Sequence, residues 1–570
     1  MKTIFILLLC LIHTQLCIGQ RYSNRSAIDK KTVKENIKTN VILDSFENQL
    51  QNSIEKVTPA CVLIITQEYF GKTRGMMASG VCVSEDGTIM TAGHIVIPGG
   101  KYEIVFPDGR KAPANGLGKI GKMDLGLLKI TEEGEFPFAE MGYSASLKIG
   151  EPCFSLSYPG SFPKKRVIRF GHVADLNVPP IGSLRTTCLM EPGDSGGPVF
   201  DMDGKVIGIR SFIGLPLDEN FEVPVDAYRN NWDALQVAIN YPEVPESISI
   251  DSNNLKSRNK TPLWAGLSNT FNLLENELDN YSVIEITSND SDSVRKALGT
   301  VVNLEGLTTN KKLLQRSYVI SKSSEVINDQ TVVINNKLST AKVVYRDDKR
   351  DLVLLQLEIK SNYAVQLPGI NSDSVPLGKF LISPSPVDDG EISILGTTNF
   401  DLSGVYNVGY LGMRLEMKDG KNIITSLQPN SAASKAMLKV GDVILDINRM
   451  KIESPADLIK ELQKKKPREV ISLVRSRDSG LDTLNIALQS RPFQGIDHVA
   501  EEFTDGRSER RDDFSNIFIH DAKLKPSECG GPIFDLSKRF IGINIARYSR
   551  TSSIGIPAQE IVEFLKAAIL

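Results

Sequence analysis

What this chain lacks narrows its chemistry before any motif is read. It has no CxxC pair and no Cys/His ligand spacing, so neither a metal site nor a cofactor is expected. No stripe of Lys and Arg interleaved with aromatics runs along it. With 66 basic against 69 acidic residues and a formal charge of −3, nucleic acid is not an expected partner, and the run Lys464-Lys465-Lys466 reads as a solvated helix end. No segment reaches the roughly 20 apolar residues that a membrane-crossing helix needs, so no transmembrane segment is expected. Of seven cysteines, Cys10 and Cys17 fall in the N-terminal apolar segment. Cys61, Cys82, Cys153, Cys188 and Cys529 remain, an odd number that cannot all pair internally. Cys61, Cys82 and Cys153 lie in apolar β-like runs, where a buried free thiol is expected. Histidine is scarce as well, five in 570 residues, which makes each one worth weighing as a general base.

What is present is a globular composition, 41% hydrophobic and 24% charged, in a chain long enough for roughly three or four domains. Lys2, the apolar run Ile4 to Ile12 and the ending Cys17-Ile18-Gly19 read as an export signal over 1–19, cut before Gln20. The mature protein is therefore expected outside the cytoplasm, periplasmic or secreted. Residues 21–40 read as polar and mobile, and a helical start around Ser45 to Ile54 leads into the apolar strand Ala60 to Ile65. Short strands follow at close spacing, punctuated by Glu85-Asp86-Gly87, Pro107-Asp108-Gly109 and Asp203-Gly204, the pattern of an all-β barrel or sandwich.

Within this β region the run Glu191 to Phe200, Glu-Pro-Gly-Asp-Ser-Gly-Gly-Pro-Val-Phe, joins a candidate nucleophile to a backbone able to serve it. A serine hydroxyl needs a base to take its proton and donors to hold the oxyanion that forms. Gly193 lacks a Cβ and can turn its N–H, beside that of Ser195, toward one point. A Gly-rich hairpin turn would look similar, so the reading depends on a histidine and a carboxylate elsewhere. His94 ends the hairpin Ser79 to Met90 and follows the small residues Ala92 and Gly93, which leave room for its ring to face a cleft. Asp124 heads the apolar strand Leu125 to Ile130. An isolated Asp there ordinarily caps a turn, but one entering a buried strand needs a partner, and a histidine N–H would supply it.

These boxes, in the order His, Asp, Ser, resemble those of trypsin-like serine proteases. The phrases SGVCVSEDGTIMTAGHIV (79–96), MGYSASLKIGEPCFSLSYPG (141–160) and GDSGGPVFDMDGKVIGIRS (193–211) resemble the HtrA/DegP branch in particular. The resemblance covers 45–240. It implies that His94 acts as general base and then acid, Asp124 orients it, Ser195 attacks the scissile carbonyl, and the Gly193 and Ser195 N–H groups form the oxyanion hole. The strand Gly208 to Ser211 would run beside substrate, and the loop Phe212 to Asn220 would shape the specificity pocket.

After a linker at 241–267 the first unit begins again in degraded form. Leu298 to Asn310 echoes the hairpin before His94, with Lys311 and Lys312 where the histidine is expected. Asp351 matches Asp124, and Cys529, in Ser527 to Pro532, matches Ser195. Without a histidine this copy is read as a pseudoprotease. Asp124 and Ser195 are 71 residues apart, whereas Asp351 and Cys529 are 178 apart, so something is inserted. The insert, 408–490, resembles a PDZ domain through Leu438-Lys439-Val440-Gly441-Asp442-Val443-Ile444-Leu445-Asp446-Ile447-Asn448 and the loop Tyr410-Leu411-Gly412-Met413. By that resemblance the loop binds a peptide's terminal carboxylate.

The expected architecture is mostly β: two chymotrypsin-like double β-barrel units, the second degenerate and split over 268–405 and 491–570, and one α+β PDZ domain nested in it. The expected function is an exported serine endopeptidase acting on unfolded or misfolded polypeptides, with peptide C-termini bound at the PDZ module. A homo-oligomer is among the expectations that the resemblance carries. The alternative is a non-catalytic peptide-binding or chaperone scaffold built on protease-like barrels.

Overall fold

A computed structural model describes residues 30–569, apart from 67–75, 246–263, 279–281, 290–293, 335–336, 362, 369–374, 387–389, 403, 405–406, 479 and 492–502. The expected export signal at 1–19 and most of the linker lie outside the described residues. The chain divides into two compact units, one ending at Asn48 and the other running from Gln49 to Leu570. In the first, the stretch expected to be mobile is helical from Lys30, within a helix Lys30–Val57. Its polar composition concealed this, but it holds no Pro or Gly to interrupt the hydrogen bonding of a helix.

Among the described residues the second unit holds four six-stranded β-barrels and an inserted sheet domain. In the first barrel, Cys61–Thr66, Met77–Cys82, Thr88–Ala92, Leu125–Ile130, Lys111–Ile120 and Lys101–Val105 pair in that order and close the ring. Lys111–Ile120 alternates exposed with buried positions in its first half, as a strand lining a barrel should, while Cys61–Thr66 is apolar almost throughout. The interior is filled by Val62, Ile64, Ile89, Tyr102, Ile104 and Leu128. Burying each aliphatic side chain contributes roughly 1.5–3 kcal/mol. The second barrel closes in the same way through Pro152–Ser157, Val167–Val178, Ser183–Thr186, Asn220–Pro224, Val206–Ile213 and Pro198–Asp201.

The same ring order recurs twice downstream. The third barrel runs from Val283–Asn289 to Leu352–Leu357, and the fourth joins Phe380–Ser383 and Glu391–Leu402 to Phe514–His520, Pro532–Asp535, Phe540–Arg547 and Ser553–Pro557. In the fourth, Leu395 pairs with His520 although the inserted domain separates them in sequence. Both ends of the insert therefore leave neighbouring strands of one barrel, so the barrel closes without regard to what the insert contains. The insert itself is a sheet of Met413–Lys418, Lys421–Leu427, Val443–Ile447, Val470–Arg477 and Gly480–Ala487. Its helix Pro455–Leu462 starts with a capping box between Ser454 and Asp457.

Candidate active site

Strand Thr88–Ala92 runs directly into the 3₁₀ turn Gly93–Ile95. A Cβ at Gly93 would stand 2.7 Å from the Leu125 carbonyl oxygen, so glycine lets this turn lie against the neighbouring strand. The Gly93 N–H donates to the Asp124 carbonyl at 2.7 Å. Asp124 follows the turn Gly121–Met123 with φ 57°, in the left-handed region that Asp tolerates better than most residues. Its carboxylate accepts the His94 backbone N–H at 2.7 Å and faces His94 Nδ1 at 2.9 and 3.0 Å. A carboxylate on Nδ1 calls for a proton there and leaves Nε2 as the acceptor. The His94 side chain is 44% exposed against 18% for Asp124, so the free edge of the ring is open to an approaching group.

Ser195 sits on a turn wedged against the first barrel. Gly193 has φ 98°, and a Cβ there would lie 2.5 Å from the Gly160 nitrogen; at Gly196, with φ 82°, it would lie 2.0 Å from Thr91 Oγ1. The Ser79 N–H donates to the Ser195 carbonyl at 3.0 Å, and Ser79 Oγ donates to the Gly193 carbonyl at 2.9 Å. From the other side the Gly196 N–H donates to the Arg210 carbonyl at 2.8 Å, and the next residue, Ser211, donates its hydroxyl to Asp124 Oδ2 at 2.5 Å. One strand, Val206–Ile213, thus ties both the serine turn and the aspartate. Among the described residues no hydrogen bond joins Ser195 Oγ to His94 Nε2, a contact that commonly tightens only with substrate in place.

Asp194, beside Ser195, is fully buried, and its carboxylate is satisfied by Arg169 at 2.5 Å, Ser157 Oγ at 2.7 Å and the Glu191 N–H at 2.8 Å. Sequence reading missed Arg169 and the role of Ser211. Ser211 could have been suspected as a small hydroxyl between Arg210 and Phe212 on an otherwise apolar strand. Arg169, 25 residues from its partner, has no local signal.

The second pair of barrels repeats the frame with other groups. Asp351 has the same φ of 57°, and its carbonyl accepts the Ser323 N–H at 2.7 Å as that of Asp124 accepts Gly93. The residue at the place of His94 is Ser324, whose N–H and Oγ both donate to the Asp351 carboxylate at 2.8 Å. The expectation that Lys311 and Lys312 stand there is corrected. The turn 83–87 of the first copy has become the longer connection 303–317, with a helical turn Lys311–Leu314, so counting from the hairpin stops too early. A fully buried Lys322 pairs with Asp351 at 2.9 Å and donates to the Arg510 carbonyl at 2.7 Å.

Cys529 is buried, 3.6 Å from Ser508 Oγ, and burial pushes its thiol up, away from the reactive thiolate. Ser508 also hydrogen-bonds strand Phe540–Arg547, its N–H donating to the Arg547 carbonyl at 3.0 Å and its Oγ accepting the Arg547 N–H at 2.9 Å. This strand corresponds to Val206–Ile213, so the chain's own segment lies along the second cleft. His520 is fully buried, with Nδ1 3.1 Å from Ser393 Oγ, and burial pushes its pKa down to about 3.

In the inserted domain Gly412 has φ 75°, and a Cβ there would overlap Ser431. Leu411 is buried in that domain's core, and its carbonyl accepts the Ala433 N–H at 2.8 Å. Met413 opens strand Met413–Lys418, which among the described residues pairs on one side alone, with Lys421–Leu427, and so offers an edge for strand addition. Among the described residues no cluster of three or more His, Cys, Asp or Glu could hold a metal ion, and no helix is long and apolar enough to cross a membrane.

Two family models match the chain: a trypsin-like peptidase domain over residues 78–209 and a PDZ domain over 409–488. Among curated proteins, a probable periplasmic serine endoprotease DegP-like of Chlamydia pneumoniae is 24% identical over 420 residues, covering 70% of this chain and 74% of that protein. Its namesake from Bartonella henselae is 22% identical over 426 residues, covering 70% and 72%. Among solved structures, the serine endoprotease from Yersinia pestis is 14% identical, covering 78% of this chain and 98% of that one, with a TM-score of 0.28.

Proposed function

Starting from a chain that is a trypsin-like serine endopeptidase of the HtrA type with a PDZ domain, we propose that it cleaves unfolded or misfolded polypeptides outside the cytoplasm through His94, Asp124 and Ser195. In this reading His94 Nε2 takes the Ser195 proton as Oγ attacks the scissile carbonyl. The Gly193 and Ser195 N–H groups hold the oxyanion, and the imidazolium then protonates the leaving amine. Asp124 keeps the required tautomer throughout. The division of labour follows 45–240 for catalysis, 408–490 for capture of peptide C-termini through Tyr410, Leu411, Gly412 and Met413, and 268–405 with 491–570 as the inactive copy.

The observation that carries the reading is the Asp124 carboxylate, shared between His94 Nδ1 and Ser211 Oγ on the strand that also anchors the turn of Ser195. The test is Ser195→Ala. In subtilisin, loss of the nucleophile costs about a million-fold in turnover, and a fall of that order is expected here on unfolded casein. Cleavage by the purified variant at the wild-type rate would refute the assignment. A second reading, a non-catalytic holding protein, is favoured by one observation, the occupied second cleft with Ser324 in the histidine's place. A fluorophosphonate probe separates the two, because an activated Ser195 is labelled and a scaffold serine is not.

A further inference from the structure

The loop 548–552, between the last two strands of the fourth barrel, is polar yet buried: Ser549 is 2% exposed, Arg550 1%, and Thr551 and Ser552 0%. Buried polar groups need partners. Some bond one another within the loop, and the rest reach 334 to 387 residues away in sequence, into the second barrel and its loops. Ser549 Oγ and Thr551 Oγ1 donate to Glu191 Oε2 at 2.6 and 2.8 Å. Thr551 Oγ1 also accepts from Arg169 Nη2 at 3.0 Å, while Nη1 of the same guanidinium holds Asp194. Arg550 donates to the carbonyls of Leu215 and Pro216 at 2.9 and 2.5 Å, and the Tyr548 ring stacks on Phe162 at 4.7 Å.

The hydroxyl of Thr551 therefore completes a chain of fully or almost fully buried groups, Glu191 to Thr551 to Arg169 to Asp194, that ends beside Ser195. Among the described residues, the Glu191 carboxylate receives from its own pair of barrels the Ser161 N–H, on Oε1 at 3.2 Å, and both donors to Oε2 come from the second pair. A buried carboxylate deprived of those donors must turn toward water. Residues 191–195 are too short a span for that to happen without moving Gly193 and Ser195. Arg550 constrains the other wall, because Leu215 and Pro216 lie in the loop that leaves strand Val206–Ile213.

We propose that loop 548–552 is a positioning element for proteolysis: Ser549, Arg550 and Thr551 hold the Ser195 turn and the loop around Leu215 in the arrangement that cleavage needs. Catalysis by the first pair of barrels then depends on the second. This gives the inactive copy a task in the reaction itself, and it rests on the reading of Ser195 as nucleophile.

The test uses the full chain carrying Ser549→Ala with Thr551→Val, which removes both hydroxyls at nearly constant shape. Fluorophosphonate labelling of Ser195 and kcat/KM on a peptide substrate are expected to fall about a hundred-fold, the scale of a misplacement near 1 Å. The loss is expected in kcat more than KM, and Thr551→Ser, which keeps the hydroxyl, should retain most of the activity. Should the double variant melt below assay temperature, amide exchange over 191–197 in Thr551→Val alone decides, faster exchange supporting the proposal and unchanged exchange overturning it. Wild-type labelling together with undiminished labelling of a folded double variant refutes the positioning role and leaves the protease assignment intact. An unlabelled wild-type protein refutes both.

Discussion

Replacing Asp124 by Asn tests the site at the group on which three of its hydrogen bonds converge. The carboxylate now accepts from His94 Nδ1 at 2.9 Å, from the His94 N–H at 2.7 Å and from the Ser211 hydroxyl. Asparagine keeps one acceptor oxygen and gains an NH₂ that can only donate. The backbone N–H of His94 holds that oxygen at the Oδ1 position, 3.0 Å from Nδ1, so the amide nitrogen takes the Oδ2 position, which faces Nδ1 at 2.9 Å and Ser211 Oγ. Ser211 can rotate and accept instead. The imidazole can satisfy a donor at Nδ1 only by becoming the Nε2–H tautomer, which points a proton at Ser195 rather than a lone pair. Shape and packing hardly change, so the loss falls on catalysis. In trypsin the equivalent change lowers kcat by about ten-thousand-fold. At 1.36 kcal/mol per decade that is about 5 kcal/mol of transition-state stabilisation. The assay is kcat on unfolded casein at neutral pH, with urea unfolding as the control for folding. An Asp124→Asn protein that stays within ten-fold of wild type would show that Asp124 does not set the tautomer, and the derivation from this geometry would fail.

Two further outcomes follow from buried charge. Arg169→Met leaves the Asp194 carboxylate buried without its cation, and breaking a pair of this kind costs about 3–5 kcal/mol. Urea unfolding is expected to report that loss, and casein cleavage should fall with it because Asp194 adjoins Ser195; an unchanged midpoint would refute the role given to the pair. Glu222 is fully buried on strand Asn220–Pro224, and burial pushes its pKa from the ordinary 4.5 up to about 8. Between those values the folded chain keeps a proton that the unfolded chain has released, so the contribution of Glu222 to stability falls as pH rises through about 4.5 to 8. Glu222→Gln should therefore lose less unfolding free energy than wild type between pH 5 and pH 8, and parallel losses in the two proteins would count against the shift.

Several parts of this protein were legible along the chain because their determinants are local. The tight run around Ser195 needs glycine where φ is positive, so Gly193 and Gly196 announce the turn. The repeated barrel is visible in short strands at close spacing, and the inserted domain in the phrase Leu438 to Asn448, whose Ile444 and Ile447 are buried in its core. Asp124 could be singled out because a carboxylate at the head of an apolar strand demands a partner.

Other parts depended on spacing that the chain does not keep. Ser324, not Lys311 or Lys312, stands in the place of His94, because a hairpin may lengthen without altering the strands it joins. The polar stretch beginning at Lys30 is helical although its composition suggested otherwise. Arg169 and loop 548–552 left no trace in any local pattern, and Ser211 showed only as a hydroxyl on an apolar strand with nothing to name its partner, since these groups meet their partners across 25, several hundred and 87 residues. The sequence alone determined which turns and strands form and which side chains carry reactive groups, since φ preferences and the alternation of apolar residues act within a few positions. Tertiary structure decided which polar groups meet in the interior, because a buried charge is satisfied by whatever donor the fold brings within about 3 Å, and distance along the chain has no part in that choice.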